Sequence, residues 1–121
     1  MKHILITGST RGIGFGLAQR FLEADCQVTI NGTTVERVNS GLQKIRKSYH
    51  SAKVQGFVTD VGNDQEVEML WDNASKSFGR IDIWINNAGI DQERKYAWDI
   101  EPSDFGQMVK TNLLGYLTVV Q

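Results

Sequence analysis

The chain of 121 residues holds one cysteine and one proline, and its 13 basic residues are offset by 14 acidic ones. A single cysteine excludes an internal disulfide. Cys26, in a stretch read as a buried strand, is a small core hydrophobe rather than a redox centre. The net charge of -1 removes the electrostatic case for nucleic acid or an anionic membrane as partner. No segment approaches the roughly 20 apolar residues of a membrane span. The first apolar stretch is only Ile4, Leu5 and Ile6 before a glycine-rich turn, which is no secretory signal. The two histidines, His3 at a strand start and His50 in a solvated loop, lack metal-ligand spacing, so no metal site is expected. A cytoplasmic globular domain is the expectation.

What the chain does have is alternation. KHILIT (2–7) reads as a short buried strand, and the apolar positions 13, 17, 18, 21 and 22 mark a helix face running to about Asp25. QVTIN (27–31) is a second strand, followed by the helical stripe Val35, Val38, Leu42 and Ile45. KVQGFV (53–58) is a third strand, weakened by Gly56. Asp64 is the expected cap of a helix carrying Val67, Leu70, Trp71, Ala74 and Phe78, which Gly79 stops. IDIWIN (81–86) is a fourth strand. After a polar loop through Asp99, Pro102 suits a first helical turn, and Phe105, Met108, Val109, Leu113, Tyr116, Val119 and Val120 carry a helical face. Near-continuous apolar strands alternating with helices predict an α/β fold, a doubly wound parallel sheet of Rossmann type. The last helix is still apolar at Gln121, with no C-cap glycine. The expected unit is one dinucleotide-binding domain over 1–121, interrupted in the helix after its fourth strand.

The densest signal is ITGSTRGIGFG, which puts Gly8, Gly12, Gly14 and Gly16 between the first strand and the first helix. At such a junction backbone N–H groups are expected to point outward unpaired, and the helix dipole adds positive charge. Small residues there let a pyrophosphate approach the backbone. The spacing G-x-x-x-G-x-G fits neither a P-loop nor G-x-G-x-x-G, since Leu17 stands three residues after Gly14.

Thr7-Gly8-Ser9-Thr10-Arg11-Gly12-Ile13-Gly14 resembles the T-G-x-x-x-G-[IL]-G signature of short-chain dehydrogenases/reductases. Three further matches follow in order: Asp60-Val61 after the third strand, Asn86-Asn87-Ala88-Gly89 after the fourth, and Asn112 in the next helix. The resemblance implies that Gly8, Ser9, Thr10, Arg11, Gly12, Ile13 and Gly14 cradle the cofactor, and that Asp60 and Val61 contact its adenine. It implies that Asn87, Ala88 and Gly89 lie against a sugar ring. It gives Asn112 a catalytic role, holding a water in a proton relay. Each residue also has a local reading: Asp60, for example, suits an Asx turn into Gly62-Asn63-Asp64. A full-length relative is implied to be a homo-oligomeric oxidoreductase acting on a small carbonyl or alcohol.

The end of the second strand, Asn31-Gly32-Thr33-Thr34, lacks the acid that grips a ribose 2′-hydroxyl in NAD-preferring folds. Glu36 is the first carboxylate after it, and the next basic residue is Arg37, about one helical turn on. Arg11 stands where NADP-preferring relatives carry a basic residue, and Thr33 offers a hydroxyl to a 2′-phosphate. NADP is therefore the expected cofactor, with NAD the alternative. The family's catalytic tyrosine and lysine form Y-x-x-x-K on one helix. Tyr49-His50-Ser51-Ala52-Lys53 matches that string but precedes the third strand, with Lys53 starting it, so the pair is not on one helix. A non-catalytic dinucleotide-binding module is the competing reading.

Overall fold

The computed structural model describes residues 1–87. Ala88, Gly89, Asn112 and the helix expected beyond Pro102 lie outside the described residues. The elements run β1 (His3–Ile6), α1 (Gly12–Glu23), β2 (Gln27–Gly32), α2 (Val35–Ser48), β3 (Val54–Val58), α3 (Asp64–Phe78) and β4 (Ile83–Ile85). The strands form one sheet in the order β3-β2-β1-β4, every pair parallel.

Consecutive apolar residues place side chains on alternate faces of a strand, so the sheet needs cover on both. On one face Ile4, Ile6, Val28, Ile30 and Val54 meet Ala18 and Leu22 of α1 and Ile45 of α2. On the other, Leu5 and Trp84 meet Leu70 and Ala74 of α3. Trp71 of α3 stacks on Trp84 with ring centroids 6.2 Å apart. Each fully buried Ile or Leu contributes about 1.5–3 kcal/mol, which holds the strand ends in place for whatever the loops above them do. Gly56 is the device that seats α2: a Cβ there would lie 2.7 Å from Val38 Cγ1 and 3.0 Å from Ile30 Cγ1.

Three local expectations are corrected. Ile13 and Val35, placed on buried stripes by periodicity, are 74% and 58% exposed. Both are in the first turn of their helices. Asn63, not Asp64, caps α3, its side chain accepting from the N–H groups of Gln65 and Glu66. Cys26 falls just before β2 and is half-buried.

The three helix starts differ in a way that matters. Thr34 caps α2 and Asn63 caps α3, and both helices carry acidic residues in the first turn. α1 has Arg11 at its cap position, no side-chain cap bond and no acid in its first turn. Its positive pole is not neutralised from within the helix.

Candidate functional site

The chain passes from β1 through α1 to β2 on one side, and β4 later joins β1 on the other. The carboxyl ends of β1 and its two neighbours therefore flank a topological switch point, where open α/β sheets bind ligands. The glycine loop sits there.

Its glycines serve different purposes. Gly8 and Gly12 have φ of 59° and 64°, the left-handed region that side chains disfavour. Among the described residues beyond its own helix turn, no atom lies within 4 Å of where a Cβ on Gly12 would stand. At Gly14 a Cβ would lie 2.6 Å from Asn87 Nδ2, 2.7 Å from the Gly8 carbonyl and 2.9 Å from Ser9 Cα. Gly14 thus lets α1 close against its own loop and the end of β4. Asn87 fastens that contact, donating from Nδ2 to the Gly8 carbonyl (3.0 Å) and from its N–H to Thr7 Oγ1 (2.9 Å).

The expectation of a loop with unpaired N–H groups needs correcting at its start. Gly8 N–H donates to Asn31 Oδ1 at 3.0 Å, and Ser9 N–H to the Asn31 carbonyl at 2.9 Å. Ser9 is fully buried and its hydroxyl donates to the Ile6 carbonyl. Such pairing is forced, because a buried N–H left unpaired costs about 1–3 kcal/mol. The next stretch differs. The first helical bond of α1 runs from Phe15 N–H to the Arg11 carbonyl. Gly12, Ile13 and Gly14 precede it, so their N–H groups have no partner within the helix.

A groove of about 120 Å³ lies between Gly8, Thr10 and Arg11 of the loop and Asn31, Gly32, Thr33, Thr59 and Val61 at the ends of β2 and β3. Arg37, one turn into α2, lines it as well, its Nη1 donating to Thr33 Oγ1 at 3.5 Å. Among the described residues, Arg11 and Arg37 and no acidic residue line this space, so its electrostatics favour an anion. Asp60 stands beside the groove rather than in its lining. Its Oδ1 accepts from Gly62 N–H at 2.9 Å, the Asx turn its sequence allows. Tyr49 follows the end of α2, and Lys53 falls outside any helix, so the decoy string forms no helical pair.

The structure thus brings together Gly8, Ser9, Thr10, Arg11, Gly12, Ile13, Gly14, Thr33, Val61 and Asn87 at one edge of the sheet, with Asp60 adjoining. Sequence reasoning undervalued Arg37 and passed over Asn31 and Thr59. Asn31 did carry a signal: a buried amide at the end of an apolar strand must find partners.

Residues 2–121 match the family model described as short chain dehydrogenase. The chain belongs to the short chain dehydrogenase family. Short chain dehydrogenases are oxidoreductases of the NAD(P)-binding kind, acting on small molecules. Chlorophyll(ide) b reductase NOL, chloroplastic, of Oryza sativa subsp. japonica is 43% identical over 84 residues, which cover 69% of this chain and 24% of that protein. The crystal structure of 2-keto-3-deoxy-D-gluconate dehydrogenase from Streptococcus agalactiae is 33% identical, with a TM-score of 0.70 over 98% of this chain and 43% of its own. An actinorhodin polyketide ketoreductase solved with NADPH shares the fold at a TM-score of 0.75 and 23% identity, over 98% of this chain and 46% of its own. This short chain dehydrogenase sequence therefore spans about a quarter of the plant relative and less than half of the two solved chains. Among the described residues no helix is long and apolar enough to cross a membrane.

Proposed function

We propose that the chain is the dinucleotide-binding portion of an NADP(H)-dependent short chain reductase acting on a small carbonyl or alcohol. The observation that carries this reading is the α1 start, where an uncapped helix pole, an open positive-φ Gly12 and Arg11 meet in one place. The groove beside it joins Arg11 to Thr33 and Arg37 with no acidic residue in its lining among the described residues, which suits a 2′-phosphate. The residues fit the cofactor. Gly12, Ile13 and Gly14 offer N–H groups to the pyrophosphate, and Gly8, Ser9 and Thr10 shape the approach to it. Arg11 and Thr33, joined by Arg37, hold the 2′-phosphate. Asp60 and Val61 border the adenine, and the Asn87-Ala88-Gly89 motif is assigned to a sugar ring of the cofactor.

The bound dinucleotide supplies the hydride; this portion of the chain binds and orients it. Asn112 is assigned to the proton relay. We place the protein in the cytoplasm and read the full-length form as a homo-oligomer, which cell fractionation and sedimentation of that form test.

The deciding experiment is a titration of the chain with NADPH and NADH. Tighter binding of NADPH is expected, and Arg11→Glu should weaken NADPH by about tenfold or more while changing NADH far less, since it replaces a phosphate partner with a like charge. Equal losses for both nucleotides would remove the 2′-phosphate assignment.

A further inference from the structure

We propose that Asn31 is a positioning residue that locks the glycine loop to the ends of β2 and β3, so that the two sides of the groove act as one site. The inference rests on the reading of that groove as a dinucleotide site.

Asn31 is the fifth residue of β2, 2% exposed, and in register with Phe57 of β3. Toward the loop it forms three short bonds. Its Oδ1 accepts from Gly8 N–H at 3.0 Å, its carbonyl from Ser9 N–H at 2.9 Å, and its own N–H donates to Ser9 Oγ at 2.9 Å. The Ser9 hydroxyl donates its proton to the Ile6 carbonyl at 2.6 Å, so the direction of that exchange is fixed. Toward the sheet, Nδ2 faces the carbonyls of Gly32, Phe57 and Thr59 at 3.4, 3.4 and 3.3 Å.

Acceptors lie on one side of the carboxamide and donors on the other, which settles its orientation: a flip would set NH2 against N–H and oxygen against three carbonyls. Aspartate supplies the acceptor without the donors, and leucine supplies neither. Gly8, in the left-handed region, stands beyond the end of the β1 ladder, and this bond aims its N–H. Gly8, Gly32 and Thr59 all line the groove and all bond to this one side chain. Loss of the amide therefore frees the Gly8 N–H and the Gly32, Phe57 and Thr59 carbonyls from one another, while the two backbone bonds to Ser9 remain and no charge changes.

The test compares NADPH, which engages both sides of the groove, with adenosine 2′-monophosphate, which engages only the strand-end side and the long, adaptable Arg11. Titrations use the full chain and near-isosteric Asn31→Leu, each first shown to unfold cooperatively. NADPH affinity is expected to fall about tenfold or more while the monophosphate changes no more than about threefold. An equal loss for both probes, or no loss for either, overturns the role of Asn31. Should Asn31→Leu fail to fold, Asn31→Ser, which meets only one side of the amide's demands, is read by the same ratio. A wild-type chain that binds neither probe overturns the dinucleotide reading itself, and Asn31 falls with it; that outcome is distinct, since it appears before any substitution.

Discussion

Gly14 and Gly16 lie two residues apart on α1, and alanine at the two positions should have opposite effects. At Gly14 the new methyl would stand 2.6–2.9 Å from Asn87 Nδ2, the Gly8 carbonyl and Ser9 Cα. Two of those three are backbone of a loop already pinned by Asn31, so little can give way. Overpacking of this kind costs about 1–3 kcal/mol. Displacing Asn87 also forfeits its bond to the Gly8 carbonyl, worth about 0.5–1.5 kcal/mol. Alanine's helix preference returns at most about 1 kcal/mol. The net for Gly14→Ala is a loss of about 1–3 kcal/mol. At Gly16 no atom of the described residues outside the local helix backbone and the adjoining residues lies within 4 Å of the new methyl, so only the propensity gain of up to about 1 kcal/mol remains. For a chain of this size that corresponds to a midpoint lowered by roughly 5–15 °C in the first case and raised by a few degrees in the second. Thermal unfolding followed by circular dichroism reads both. A Gly14→Ala chain as stable as Gly16→Ala would refute the close approach of α1 to its loop, and with it the geometry of the site.

Other expectations follow from single contacts. His3 is buried, and its Nδ1 faces the Gly79 carbonyl, so that nitrogen donates and Nε2 accepts from Thr29 Oγ1 at 2.7 Å. Burial holds its pKa below the usual histidine value, against the opposing Gly79 bond and the Asp82 charge. The unfolded chain then binds the extra proton more readily, so stability is full above about pH 6.5 and falls as pH drops through the folded-state pKa. Urea midpoints at about pH 8 and about pH 5 test this; His3→Gln should flatten the difference, and a midpoint that rises on acidification would contradict the sign. Asn63→Ala removes the cap of α3 and should cost about 1 kcal/mol in urea unfolding, whereas Asn63→Asp should cost far less. Gly12→Ala meets no neighbour, yet its positive φ should cost about 1–2 kcal/mol, a loss that a sterically silent site would not show. Arg37→Glu should weaken NADPH more than NADH in the same titration as Arg11→Glu; an unchanged ratio would leave Arg11 as the working cation.

The fold was legible because its signals are redundant. β1 and β4 each carry three consecutive apolar residues, β2 keeps Val28 and Ile30, and each described helix repeats its stripe over three or four turns, so the misplaced Ile13 and Val35 did no harm to the whole. The site was legible only in outline. Periodicity and spacing located the loop, yet could not say that Gly14 is small for the sake of Asn87, 73 residues away, or that Gly8 and Ser9 donate to Asn31. Those are contacts between the ends of different strands, decided by register, and register leaves no mark in a local window. Arg37 was undervalued for a similar reason: a residue one helical turn past a strand returns over the strand end only because α2 starts immediately there.

The bonds around His3 join the third residue of the chain to residues 79 and 82. On a ribosome the first strand therefore waits for one of its two neighbours. At about 5–20 residues per second, that interval is roughly 4–16 s. Through it, β1 can pair with β2 but presents its other edge, Ile4 and Ile6 included, to whatever is nearby. A nascent chain in that state is a natural client for a chaperone that shields strand edges. Pausing signals placed before the codons of β4 would lengthen exactly the exposure that its arrival ends.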